Sequence, residues 1–372
     1  MSYEIINSGR PTRREALKGF GAAASGAALA IGAPGILRAQ ASALVVVSGG
    51  GVYEEAIRKA VIDPFQRETG IKVTYVSPAE EAKIKAQVDS NNVQWDVVEL
   101  SRPAFRPDAS KYLEEIDYGA FDKETLENLL PEAKAKYAVG SYVFSTVMGF
   151  STAEYPADKP RPHSWAEFWD TSKFPGPRSL RSCANGDPTT VEFALLASGF
   201  PRDKLYPIDF DKAFTSLDRI KPHITKFWTD GAAANQLLSD RQVGMASAFN
   251  GNIEYLKAQG AAVDYQWDEG ELSALHWVVL KGTKNRDAAM RFVAYQATAQ
   301  AQARLNNLIF YGPLNRAAFK YIEPKITAKL PTAPENIDRQ FFRDLAYWGA
   351  QSSSGKSNIE VLVERWIKWV AS

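Results

Sequence analysis

Apolar positions change their spacing repeatedly along the chain after its N-terminal tract. Leu44-Val45-Val46-Val47 is an unbroken β-branched run, the pattern of a strand covered on both faces. Ser48-Gly49-Gly50-Gly51 turns the chain, and Ala56, Ile57, Ala60 and Val61 then recur at helical spacing. Gly70 ends that helix, and Ile71, Val73 and Tyr75 alternate as a second strand. Ile84 and Val88 share one face of the next helix, opposite Glu81 and Lys85. After the Asn91-Asn92 turn a third strand starts at Val97-Val98 and runs out through Glu99-Leu100-Ser101. Strand, helix, strand, helix, strand predicts an α/β lobe around a parallel sheet. Ligands in such lobes lie beyond the strand carboxyl ends, which here are the Gly49–Tyr53 turn and the loop from Ser101 to Pro103.

The apolar segment Tyr142–Phe150 closes this lobe and crosses to a second. Ser164-Trp165-Ala166-Glu167 predicts a capped helix start. A strand and the polar loop Asn185-Gly186-Asp187-Pro188 lead into a helix ending at Gly199. Phe227-Trp228-Thr229-Asp230-Gly231 reads as an aromatic-acid loop before a short helix to Leu238. A strand, Val243–Phe249, then delivers the chain to Asn250-Gly251-Asn252. These two loops are expected at one sheet edge, gathering an indole, a carboxylate and an amide. Trp277–Leu280 reads as a return strand and Tyr311-Gly312-Pro313-Leu314-Asn315 as a turn. Ile359, Leu362, Val363, Trp366, Trp369 and Val370 form one face of a final helix. The predicted units are therefore lobe 1 (42–148 and 275–320), lobe 2 (149–274) and C-terminal helices (321–372) packing on lobe 2. The two crossing strands form a hinge, and a ligand would sit between the lobes.

The first 41 residues read as an export signal. Thr12-Arg13-Arg14-Glu15-Ala16-Leu17-Lys18 resembles a twin-arginine motif, with Ala16 where Phe is usual. A mild Ala/Gly tract, Gly19–Ala33, and the small-residue pattern Ala39-Gln40-Ala41 follow. Cleavage near Ala41 and a periplasmic destination are expected. With 372 residues and 45% hydrophobic composition the chain is long enough for two cores. A net charge of +1 and the lack of a basic run exclude a nucleic-acid partner. One cysteine, Cys183, excludes an internal disulfide. Three histidines without ligand spacing point to no metal and no cofactor. Gly49-Gly50-Gly51 is not a dinucleotide fingerprint, since Glu54 stands where its third glycine would fall.

Several stretches together resemble an extracellular solute-binding protein of an ABC importer. They are Trp165-Ala166-Glu167-Phe168-Trp169-Asp170, Lys173-Phe174-Pro175-Gly176-Pro177-Arg178, Leu237-Leu238-Ser239-Asp240, Lys281-Gly282-Thr283-Lys284-Asn285 and Tyr311-Gly312-Pro313-Leu314-Asn315. The resemblance is to the spermidine/putrescine-binding branch of the type II periplasmic-binding-protein family. It implies two α/β lobes, each a mainly parallel sheet flanked by helices, with ligand in the interlobe cleft. It also implies a monomer that hands its solute to an ABC permease in the inner membrane. Polyamine binders of this family meet amines with acids and aromatics, yet Leu275 stands where one such acid would be. Ser101 matches the family's serine, but Pro103 replaces the aromatic that follows it.

The candidate ligand contacts are Gly50, Gly51, Tyr53, Ser101, Asp187, Trp228, Asp230, Phe249, Asn250, Trp277 and Tyr311. Asp230 and Asp187 would pair with an ammonium, and Trp228, Phe249 or Trp277 would give it a ring face. The Gly49–Tyr53 turn would take a carboxylate through backbone N–H groups. The expected solute is thus a compact zwitterion such as an ω-amino acid, or else a polyamine. No catalytic residue is expected. The enzyme alternative is a cleft enzyme using Cys183 as nucleophile on a small cationic substrate, although a lone cysteine is usually a small buried hydrophobe. Asp230 also stands where a helix N-cap would.

Overall fold

A computed structural model describes residues 43–101 and 108–372, so the predicted export signal lies outside the described residues. Ten strands form one continuous hydrogen-bonded array. Three parallel strands build its first end: β1 (Leu44–Val47), β2 (Val73–Val76) and β3 (Val97–Leu100). After the two-residue β4 (Lys134–Ala135) comes β5 (Ala138–Ser151), a strand of 14 residues. Three more parallel strands build the other end: β6 (Arg178–Arg181), β7 (Ile224–Trp228) and β8 (Met245–Phe249). The array is completed by β9 (Val263–Val279), 17 residues long, and β10 (Phe341–Phe342). The order is β2-β1-β3-β9-β5-β8-β6-β7, with β4 beside β5 and β10 beside β9.

The antiparallel pair β5/β9 ties the two parallel ends together. Its register shifts between Thr146↔Glu271 and Met148↔Gln266. On one side of that shift β9 pairs with β3 (Glu99↔Trp277), and on the other β5 pairs with β8 (Met148↔Ser247). The return strand therefore begins at Val263 rather than Trp277, well inside the second lobe. Glu269, at the shift, has φ 58°. Its carboxylate accepts from the Trp165 backbone N–H (2.7 Å) and its carbonyl from the Trp165 indole (3.0 Å).

Each end carries its own hydrophobic core. One collects Leu44, Val46, Phe65, Val97, Trp277 and Phe292 among others. A second collects Trp165, Phe168, Leu180, Phe193, Phe214, Trp348, Leu362 and Trp366. The last helix, Asn358–Ala371, is fixed at its start by a capping box between Ser357 and Glu360. It buries Leu362 and Trp366 in that second core, while Val370 stays 44% exposed. At the other predicted cap, Ser164 accepts from the Glu167 N–H, but the Glu167 carboxylate turns to the His163 N–H instead.

Candidate functional site

A cavity of about 350 Å³ opens between the two ends of the array. Its walls include Ser101 and Lys134 from the first lobe, and Arg181, Asn185 and Asp187 from the second. Phe144 and Ser273 come from the β5/β9 pair, and Arg343 from the segment after β10.

Arg181 ends β6, where the strand's carboxyl end brings its guanidinium to the cavity wall. The group lies 4.8 Å from the Phe249 ring centre and 5.4 Å from that of Trp228. Nη1 is in ionic contact with Asp187 at 2.9 Å. Among the described residues, Nε of Arg181 and the Trp228 indole N–H nearby have no hydrogen-bond partner. Unpaired donors of this kind are costly when buried.

Arg343 is committed more fully. One of its nitrogens reaches Asp187, Thr189 and Glu271, at 3.1, 2.6 and 3.1 Å. Asp187 thus faces two guanidiniums. Burial works to raise its carboxyl, but Arg343 and Arg181 outweigh burial and hold it well below the usual carboxylate range. Glu271 goes the other way: burial pushes its carboxyl up against the pull of Arg343.

Glu99 stands at the carboxyl end of β3 and is buried. Its Oε1 accepts from the Tyr53 hydroxyl (2.8 Å), and its Oε2 accepts a short hydrogen bond from Ser48. No Lys or Arg among the described residues pairs with it. Burial pushes its carboxyl up to about 7. The β3/β9/β5 register sets Glu99 opposite Trp277, Leu275 opposite Tyr142, Ser273 opposite Phe144 and Glu271 opposite Thr146. Alternation along β9 puts all of these on one face of the sheet. Rings continue along that face: Tyr53 against Tyr142 (5.4 Å), Tyr142 stacked on Tyr311 (4.9 Å), and Phe144 between Tyr311 (6.4 Å) and Phe249 (5.1 Å). A row of aromatic contacts therefore runs from the Glu99 carboxylate in one lobe to the Arg181 guanidinium in the other.

The expected residues are used in several ways. Tyr53, Phe249 and Tyr311 belong to the ring row, Ser101 and Asp187 line the cavity, and Trp228 backs Arg181. Gly50 and Gly51 form an exposed turn, with Gly51 at φ 63° ahead of the helix Val52–Ile57. The other three are used differently from expectation. Asp230 is exposed and caps the helix Gly231–Ser239 by accepting from Ala233 N–H, so its charge serves the helix. Trp277 is fully buried in the first core, edge-on to Phe292. Asn250 spends its amide on backbone, accepting from Ser145 N–H (2.9 Å) and donating to Phe310 C=O (2.7 Å). Phe227 and Trp228, expected in a loop, end strand β7, which carries Trp228 into the interior.

Two expectations about charge also change. Asp187 is neutralised by protein arginines, so it does not wait for an amine. The rings of Trp228 and Phe249 already hold a cation, Arg181, which makes this pole suited to an anion. Arg181 and Arg343, which line the cavity, were not among the expected residues, although Arg181 sits at a strand carboxyl end, where ligands are expected. Cys183 is fully buried, and burial pushes its thiol well above the ordinary value, which disfavours the thiolate a nucleophile needs.

Comparison with known proteins follows the same lines. A family profile described as bacterial extracellular solute-binding protein matches residues 60–334. The γ-aminobutyric acid-binding protein of Pseudomonas aeruginosa is 33% identical over 318 residues, covering 84% of this chain and 88% of that protein. The spermidine/putrescine-binding periplasmic protein of Escherichia coli is 22% identical, covering 74% of this chain and 79% of its own. A solved structure described as the Atu4243–GABA receptor superposes with a TM-score of 0.78 at 36% identity, covering 88% of this chain and 97% of that one.

Proposed function

This chain belongs to the bacterial extracellular solute-binding protein family, and from that premise we propose that it captures a compact ω-amino acid such as γ-aminobutyrate. It is a two-lobed solute-binding protein of an ABC transporter and not an enzyme. The observation that carries the ligand class is the Arg181 guanidinium at the cavity wall, lying against Phe249 with Nε free of any hydrogen-bond partner among the described residues and Nη1 in ionic contact with Asp187 (2.9 Å). A carboxylate drawn against a planar guanidinium can accept two parallel hydrogen bonds. That polarity is the reverse of the sequence-based expectation, which gave the carboxylate to the Gly49–Tyr53 turn. The γ-aminobutyrate named for two relatives supplies such a carboxylate, and a diamine does not.

The polyamine branch is the second reading, and the likeness to the Escherichia coli protein motivates it. It is disfavoured because Asp187 and Glu271, acids near the cavity that could meet a diamine, are engaged by Arg343. Titration calorimetry with γ-aminobutyrate, putrescine and spermidine separates the two. Micromolar capture corresponds to about −8 kcal/mol. Tight binding of either polyamine with γ-aminobutyrate silent would overturn the reading.

Closure would swing the unit 42–148 plus 275–320 against 149–274 about β5/β9, with 321–372 travelling with the latter. The loaded monomer would then present both lobes to its permease. We also propose that residues 1–41 are a twin-arginine export signal cut near Ala41, delivering the folded protein to the periplasm. N-terminal sequencing of the exported protein checks the cut, and an Arg13→Lys/Arg14→Lys double variant should stay in the cytoplasm.

A further inference from the structure

One carboxylate on the cavity wall, that of Asp187, is shared by two guanidiniums. Its Oδ1 accepts from the Thr189 N–H (3.1 Å), from the Thr189 hydroxyl and from Arg343 Nη2 (3.1 Å). Its Oδ2 accepts from Arg343 Nη1 (3.3 Å) and lies 2.9 Å from Arg181 Nη1. Arg343 is held through its backbone as well. Its N–H donates to the Leu272 carbonyl of β9 (3.2 Å), and the Asp344 N–H donates to the Tyr206 hydroxyl (3.1 Å). Glu271 also accepts from Arg343 (3.1 Å), but burial draws that acid toward its neutral form. Two guanidiniums therefore stand against one firmly ionised carboxylate, and the excess charge is positive. That excess falls to Arg181. The Arg343 guanidinium donates to Asp187, Thr189 and Glu271, whereas that of Arg181 meets Asp187 by ionic contact alone among the described residues. The Arg181 side chain is also the more open to the cavity, 15% exposed against 5% for Arg343. Without Arg343, Asp187 would neutralise Arg181 and stand as a fixed negative charge where a carboxylate must approach, and like charges repel strongly away from bulk water.

We propose that Arg343 is a positioning residue for capture: by engaging Asp187 it leaves the Arg181 guanidinium free to hold the carboxylate of the solute. This rests on the reading above, in which Arg181 takes that carboxylate. Arg343 acts through Asp187 and not by touching the solute. The rings of Phe249 and Trp228 keep the Arg181 guanidinium in place, so Asp187 is not needed to orient it. The segment after β10 thus tunes the strength of an anion contact made at the end of β6.

The test is calorimetry with γ-aminobutyrate on a double-mutant cycle, with melting curves to confirm folding. Arg343→Met should weaken binding about tenfold or more. Asp187→Asn keeps an acceptor for the Thr189 N–H and removes the competing charge, so it should tighten binding about threefold. The double variant Arg343→Met/Asp187→Asn should return to within about threefold of wild type, a recovery that a merely structural role for Arg343 does not give. A double variant as weak as Arg343→Met overturns the proposal, because Arg343 would then contact the solute or only support the fold. Unchanged affinity in Arg343→Met overturns it too. Should Arg343→Met fail to fold, Asp187→Asn decides alone, and binding no tighter than that of wild type overturns the proposal. If wild type ignores γ-aminobutyrate altogether, the reading beneath fails and this inference fails with it. If wild type binds it and Arg181→Gln weakens binding while Arg343→Met does not, only the role of Arg343 falls.

Discussion

The Arg181 guanidinium lies 4.8 Å from the ring centre of Phe249, so a ring that could have met a ligand's ammonium already faces a cation of the protein. The contact sets a positive charge at this end of the cleft, beside the Asp187 carboxylate at 2.9 Å. Arg181→Gln keeps a planar polar end but removes the charge, and it should weaken γ-aminobutyrate binding about 30-fold or more. Arg181→Lys should not restore it, because an ammonium cannot offer the paired, planar donors. Calorimetry on both variants, with melting curves to confirm folding, checks the expectation.

Asp230 gives the opposite forecast. It caps the helix Gly231–Ser239 through a hydrogen bond of 3.1 Å to Ala233 N–H. Asp230→Ala should cost about 1 kcal/mol of stability and leave ligand affinity unchanged. A large loss of affinity without a change in melting temperature would return Asp230 to the site.

Gly251 lies under Tyr311, where an added Cβ would stand 2.8 Å from a ring carbon. Gly251→Ala should push that ring off its stack on Tyr142, at a cost of about 1–3 kcal/mol. The row of rings that reaches the cavity at Phe144 would shift with it, so weaker binding is expected alongside a lower melting temperature.

Glu192 makes stability depend on pH. It is fully buried and accepts from Tyr206 (2.6 Å) and the Trp348 indole (2.8 Å). Burial raises its carboxyl above the ordinary value, against the pull of Arg343. The folded state therefore prefers the protonated form, whose stabilising effect is present at low pH and lost as pH rises through the usual carboxylate range toward the raised value. Glu192→Gln should flatten this slope and raise the melting temperature at pH 8 relative to wild type. Thermal melts between pH 4 and 8 check both the direction and the pH range.

The fold was legible because its signals are local. Leu44–Val47 reads as a strand from its β-branched run, Gly70 stops a helix, and the Ser357/Glu360 spacing starts one. The site was only partly legible, because charge pairing depends on residues distant in sequence. Arg181 acquires its meaning from Trp228 and Phe249, brought beside it by two later strands. Glu99 looks like a solvated strand end until β9 returns with Trp277 opposite it. Asp187 looks available until Arg343 arrives from beyond β10. Asp230 was legible in both its readings, and local geometry chose the helix cap.

The anchored shift in β9 has a mechanical meaning. Trp165 grips Glu269 twice, through its backbone N–H and its indole, and Trp165 itself is stacked on Phe193 in the second core (3.7 Å). In the proposed closure, the axle on which the halves would turn is therefore keyed to one of them. Torque from closure should be absorbed just past the key, in Glu271–Ala274 and the facing stretch Val143–Thr146. Backbone amides there should change their hydrogen-exchange rates on ligand addition, while those of Trp165 and its neighbours stay steady.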